Sequence, residues 1–253
     1  MTDLEKYFVN NDKRLIYKWM HYFDIYDRHF NKFRNREIVL LEIGVFQGGS
    51  LQMWKDYFGD KARIYGIDIN PRCKEFEEEN VQILIGSQSD RTFLRQVRST
   101  IPPVDILIDD GGHTMKQQIV TFEELFGHVK NDGVYLCEDT HTSYWVNYGG
   151  GYKRRGTFME YTKNFIDEIN AYHSTQKRHR VTDFTKTVNS IHFHDSMVII
   201  EKQERDKPYE DAKGHFTLDY SPKPESFPKR MKGILCKKIN QILRFFYLKG
   251  FEW

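Results

Sequence analysis

Between residues 37 and 201 the chain alternates short apolar runs with longer stretches of helical period. Glu37–Ile43 (EIVLLEI), Arg63–Ile67, Val81–Ile85, Val104–Ile108 and Gly133–Cys137 are short and apolar, as strands buried on both faces are. Between and after them, Ser50–Phe58, Pro71–Glu79, Asp90–Ser99, Met115–Val129 and Phe158–His173 predict helices. Leu51, Trp54 and Phe58 share one face of the first. Pro71 opens the second, where its missing N–H costs nothing. Asp90 opens the third as a cap. Two late strands, Ser190–Phe193 and Ser196–Glu201, meet at His194-Asp195 and predict an antiparallel hairpin at a sheet edge. The pattern therefore predicts an α/β fold: a mostly parallel seven-stranded sheet with an antiparallel edge hairpin and helices on both faces.

Apolar spacing continues outside this body. Over Asp12–Phe33, helical spacing puts Trp19, Phe23, Tyr26 and Phe30 on one face, predicting a stripe packed on the sheet. Polar tips there, such as Tyr22 and His29, are placed to reach a ligand. His192 and His194 on the late strands are read as structural. Prolines are absent from 104 to 207 and then crowd at Pro208, Pro222, Pro224 and Pro228, which predicts a linker. Beyond it Met231, Leu235, Ile239, Ile242 and Phe246 recur near helical period among Lys and Arg, predicting a basic amphipathic helix. Such a helix docks on protein, its own or a second subunit's, or lies on an anionic membrane.

The composition narrows the class without naming the chemistry. At 253 residues the chain suits one large domain, or one with appendages. Lys and Arg number 38 against 36 Asp and Glu, so there is no excess of base to suggest a nucleic-acid partner. No apolar run approaches the ~18 residues of a membrane span. The first residues lack the basic and apolar regions of a secretion signal. Cys73, Cys137 and Cys236 have no metal spacing and no even pairing, so a reduced, cytoplasmic setting is expected.

In open α/β sheets ligands bind at the carboxyl ends of the strands. The first predicted strand runs into Gly44, Gly48 and Ser50, a loop that turns sharply and leaves helix amides free. The spacing is not G-x-G-x-x-G. Glu42, two residues before the first glycine, repels a diphosphate but accepts from an ammonium group. That favours the methionine part of S-adenosylmethionine (SAM) over NAD. Asp68 ends the second strand, 20 positions after Gly48, and is placed to accept from ribose hydroxyls; the alternative is a helix cap. Ser87 and Gln88, after the third strand, are placed to line the adenine, whereas Asp90 is read as a cap.

The fourth strand runs into Asp109-Asp110-Gly111-Gly112-His113 and the fifth into Glu138-Asp139-Thr140-His141. Four carboxylates that close need a compensating cation. Oxygen ligands with open positions suit Mg²⁺ or another hard divalent ion. His113, three residues after Asp110, is placed to take a proton near neutral pH. Taken singly, each acidic pair is read equally as a cap or an ion pair.

The motifs L-E-I-G-V-F-Q-G-G-S (Leu41–Ser50), D-I-N-P (Asp68–Pro71), I-D-D-G-G-H (Ile108–His113) and E-D-T-H-T-S-Y-W (Glu138–Trp145) resemble the metal-dependent, SAM-dependent sugar O-methyltransferases of the mycinamicin and macrocin type, some of which accompany polysaccharide synthesis. The resemblance runs from about Asn35 to Lys202. It implies a Rossmann-like class I methyltransferase fold, Mg²⁺ held by Asp110, Glu138 and Asp139, and His113 as the base. Asp109 is assigned with Glu42, Gly44, Gly48, Ser50, Asp68, Ser87 and Gln88 to the SAM side. Tyr144 and Trp145 suit the apolar face of a sugar, and Lys153 and Arg154 suit an anionic group on it; the loop bearing them reads equally as solvated.

The division expected is a helical cap at 1–36, the methyltransferase domain at 37–204, a linker at 205–228 and the basic helix at 229–253. The partners expected are a sugar or glycan acceptor, anionic or lipid-linked, with a second copy and the inner membrane face as further candidates. Two other readings are a catechol-type O-methyltransferase and a scaffold of the same fold without activity.

Overall fold

Seven strands form one sheet in the order β3-β2-β1-β4-β5-β7-β6. They are β1 (Val39–Ile43), β2 (Arg63–Asp68), β3 (Val81–Ile85), β4 (Val104–Asp109), β5 (Val129–Cys137), β6 (Val188–His194) and β7 (Met197–Lys202). β1 to β5 run parallel, while β7 pairs antiparallel with both β5 and β6. The computed structural model describes residues 1–218, 227–246 and 248–250. Residue contacts divide the chain into two units, Met1–Pro208 and Tyr209–Trp253.

Every position of β1 and β4 is buried, which explains why these runs are continuously apolar rather than alternating. One face of the sheet is covered by α1 (Asp3–Val9), α2 (Tyr22–Phe30) and α3 (Gly49–Phe58), whose Leu4, Phe23, Phe30 and Trp54 pack with Leu40, Ile106 and Ile199. The other face carries α4 (Arg91–Thr100), α5 (Met115–Leu125), α6 (Phe158–Ile169) and α7 (Asp183–Thr187), where Leu94, Leu125, Phe165 and Phe184 meet Leu41, Leu107 and Ile200. β1 lies between β2 and β4, so strand order reverses there and opens a crevice.

The N-terminal segment departs from the sequence reading. The predicted helical stripe over Asp12–Phe33 is confined to α2, and Trp19 lies before it, half exposed. Residues 10–21 instead cross the start of α3. A Cβ at Gly49 would stand 2.3 Å from the Leu15 carbonyl oxygen, so the crossing depends on glycine. Other differences are shorter. Pro71–Phe76 is a 3₁₀ turn rather than a helix to Glu79, because Glu77 is extended and Glu78 bridges to Val81. Helix α5 stops at Leu125, and β5 begins at Val129 rather than Gly133. Asp90 caps α4 through the amides of Thr92 and Phe93.

In the second unit, α8 (Phe227–Phe245) has Met231, Leu235 and Ile242 exposed. Residues 205–218 carry no helix or strand. The linker positions 219–226, with Pro222 and Pro224, and the end of the chain at 251–253 lie outside the described residues. Among the described residues no helix is long and apolar enough to cross a membrane.

Candidate active site

Register brings the acidic loops together. Ile43 pairs with Asp109 and Asp109 with Cys137, so Asp110 and Glu138 leave neighbouring strands at the same level. The backbone continues the pairing for one more bond at each: the Asp110 amide donates to the Ile43 carbonyl at 2.9 Å, and the Glu138 amide to that of Asp109 at 2.9 Å. Asp139 then turns with φ of 52° and His113 with φ of 57°, both left-handed. The Gln88 side chain braces the second turn, accepting from the Gly112 amide at 2.6 Å and donating to Asp109 Oδ1 at 2.9 Å. His113 Nε2 is thereby aimed back at the acids, 3.4 Å from Asp139 Oδ2 and 4.0 Å from Asp110 Oδ1.

The cation that reaches these carboxylates comes from a residue the sequence reading passed over. Lys18 Nζ donates to Asp110 Oδ2 at 2.5 Å and to Glu138 Oε2 at 2.8 Å, its side chain only 3% exposed. Burial disfavours the ammonium, but Asp110, Glu138 and Glu42 outweigh it and hold Lys18 protonated. Tyr26 donates to Glu138 Oε1 at 2.6 Å and Tyr22 to Asp139 Oδ1 at 2.7 Å. Burial raises the carboxyls of Asp110 and Glu138 above the ordinary range; for Asp110 the Lys18 charge pulls back most strongly. Lys18 carried no periodic signal, because its segment is irregular. The signal that would have found it is charge arithmetic, since a buried acid cluster calls for any cation.

The same cluster fits a hard metal ion. Asp110, His113 and Asp139 each present a ligand atom, all within 4.8 Å of one another. Glu138 is turned toward Lys18 and Tyr26 instead. The expected set of Asp110, Glu138 and Asp139 can close on one ion only if that ion takes the place of the Lys18 ammonium.

Beside the acids lies a cleft of about 710 Å³, lined by Gly44, Asp68, Ser87, Gln88, Asp110, His113, Asp139 and Trp145 among others. Asp68 accepts from the amides of Val45 (2.9 Å), Phe46 (3.0 Å) and Asn70 (2.8 Å). Ser87 faces the cleft with its hydroxyl 3.0 Å from that of Ser89. Gly44 has φ of 95°, and a Cβ there would lie 2.0 Å from the Asp110 carbonyl oxygen, so the glycine serves the crossing of two loops.

Other residues assigned to the SAM side lie elsewhere. Glu42 is fully buried and accepts from Ser50 Oγ at 2.8 Å and Trp54 Nε1 at 3.0 Å. Its strand position points it into α3, away from the cleft, and burial pushes its carboxyl up to about 7. Ser50 is thus Glu42's partner, and Gly48 packs on Phe76. Asp109 is buried behind Gln88, one oxygen without a partner, and burial pushes it up to about 7. The sequence pattern placed these residues near the loop but gave no direction for their side chains.

One rim of the cleft is aromatic. Trp19, His141, Trp145 and Tyr148 form a chain of ring contacts, with centroids 5.9, 4.6 and 5.7 Å apart, along the cleft. Tyr144 is half exposed and does not line the cleft. Lys153 lies over the Tyr152 ring and Arg154 donates to the Gly150 carbonyl, so both fold on their own loop.

A seven-stranded sheet of this order, with its crevice between β1 and β4, defines the class I methyltransferase fold. Residues 41–140 match the methyltransferase domain family. It is 35% identical over 187 residues to the 8-demethyl-8-alpha-L-rhamnosyl tetracenomycin-C 2'-O-methyltransferase of Streptomyces olivaceus, covering 70% of this chain and 49% of that one. It is 33% identical to the mycinamicin VI 2''-O-methyltransferase of Micromonospora griseorubida, covering 72% and 48%. A solved methyltransferase of the mycinamycin pathway, in complex with Mg, SAH and mycinamycin VI, superposes with a TM-score of 0.71 at 28% identity, over 92% of this chain and 58% of that one. The chain thus spans about half the length of the curated relatives it matches.

Proposed function

We propose that the chain is a SAM-dependent O-methyltransferase acting on a sugar hydroxyl of a glycan or glycosylated metabolite. The observation that carries this is His113 Nε2 facing Asp139 and Asp110 on the floor of a cleft with an aromatic rim. The similarity to enzymes named for sugar O-methylation supports the acceptor class.

The cleft beside Asp68 and Ser87 receives the donor, with Asp68 at the end of β2 placed for its ribose. Trp19, Trp145 and Tyr148 offer faces to the apolar side of a sugar ring. The acceptor hydroxyl loses its proton to His113 Nε2 as its oxygen attacks the sulfonium methyl. A C–O bond forms, the C–S bond breaks, and sulfur keeps the electron pair. Asp110 and Asp139 stabilise the imidazolium and orient the ring, so most of the rate comes from alignment and charge placement. Asp110, Glu138 and Asp139 would hold a divalent ion, which supplies polarisation of the acceptor oxygen when bound. Tyr22 and Tyr26 keep two of these carboxylates oriented throughout.

The test is incubation with isotope-labelled SAM and Mg²⁺ against a panel of glycosides and phenols, read by mass spectrometry. Gain of one methyl group on a sugar hydroxyl is expected. Methylation confined to catechols would overturn the acceptor assignment.

A further inference from the structure

Three histidines gather outside the active site. His29 lies on α2, and His192 and His194 lie on one face of the edge strand β6. One ring nitrogen from each falls within 4.8 Å of the others. His29 Nε2 and His194 Nε2 are 3.3 Å apart. Two nitrogens bound at about 2.0–2.1 Å to one tetrahedral ion stand about 3.3–3.4 Å apart, so this spacing is that of a tetrahedral edge.

The surroundings are those of a metal ligand set. The other nitrogen of His29, Nδ1, lies 3.0 Å from Glu201 Oε1. A carboxylate on that side fixes the tautomer and leaves the Nε2 lone pair directed at His194. Glu201 is itself held by the Ser190 hydroxyl at 3.0 Å, and Ser190 also meets His192 Nε2 at 2.9 Å. His29 is buried while His192 and His194 are partly exposed, so the cluster opens at the sheet edge.

We propose that His29, His192 and His194 form a binding site for a divalent transition-metal ion of the zinc type, separate from the active-site acids. Imidazole ligands select zinc, cobalt, nickel or copper over magnesium, whereas Asp110 and Asp139 favour hard ions. The site would clamp α2 to the sheet edge. That matters because α2 also carries Tyr22 and Tyr26, which orient Asp139 and Glu138.

The test uses full-length, tag-free protein stripped with EDTA and titrated with Zn²⁺, then with Co²⁺ as a spectroscopic probe. With Mg²⁺ in excess to occupy the active-site acids, one equivalent of Zn²⁺ is expected to remain bound, and Co²⁺ to give the visible absorption of a tetrahedral site. His192→Ala and His194→Ala sit on a partly exposed edge and keep the fold. Each should weaken Zn²⁺ binding by at least roughly a hundredfold, and Glu201→Gln by roughly tenfold to a hundredfold. Asp139→Asn should leave it unchanged. Binding that survives in His194→Ala, or that disappears in Asp139→Asn, would overturn the proposal. So would an absence of Zn²⁺ binding in the native chain, which would make the short contact an N–H···N hydrogen bond.

Discussion

Replacing Lys18 by Met removes a buried ammonium from between two carboxylates while keeping most of the stem. Lys18 is 2.5 Å from Asp110 and 2.8 Å from Glu138, and Glu138 is 1% exposed. Breaking a buried pair from one side leaves uncompensated charge and costs about 3–5 kcal/mol. For a unit of this size that lowers Tm by about 6–20 °C, at about 2–4 °C per kcal/mol. The assay is thermal unfolding near neutral pH in EDTA and in Mg²⁺. Lys18→Met should be strongly destabilised in EDTA and largely recovered by Mg²⁺, because a divalent ion takes the place of the lost charge. The native chain must displace its own ammonium, so the variant should also respond to Mg²⁺ at least about tenfold lower in concentration. A Tm in EDTA within about 2 °C of the native value would refute the charge argument. Destabilisation that Mg²⁺ fails to reverse would refute the shared position of ammonium and metal.

EDTA should stop methyl transfer and Mg²⁺ restore it, read by product mass; full activity in the chelator would remove the metal from the reaction. Trp145→Ala should raise KM for the acceptor while leaving donor binding intact, as measured by steady-state kinetics and by calorimetry with SAM. Glu42 is raised from 4.5 to about 7 by burial, so the folded state binds a proton more tightly than the unfolded one between those pH values. Its contribution to stability is therefore greatest below 4.5 and falls by about 3 kcal/mol as pH rises to 7. Glu42→Gln should flatten that part of the stability–pH curve measured by denaturant unfolding, and an unchanged slope would exclude Glu42 as its source.

The strands and their ends were legible because buried parallel strands leave uninterrupted apolar runs, and the motifs follow each run directly. The positions of Asp110, His113, Glu138 and Asp139 at one edge are therefore legible in the sequence alone. Side-chain direction was not legible. Glu42 sits at the right level of β1, but the alternation of the strand turns it into α3. Asp68 ends β2 as expected, yet it spends most of its acceptor capacity on the β1–α3 loop and its own turn. Nor was Lys18 legible, since an irregular segment crossing a distant helix start leaves no period in the sequence. The histidines of β6 were read one strand at a time, and only the packing of α2 brings His29 to them.

The central claim is that His113 takes the proton of a sugar hydroxyl as the methyl group moves. Single-turnover transfer by His113→Ala, with SAM and Mg²⁺ saturating and SAM binding verified separately, tests it most directly. The expected result is intact SAM binding with transfer reduced by roughly a hundredfold to ten-thousandfold, the usual contribution of a positioned base. Transfer within a few-fold of the native rate would contradict the account.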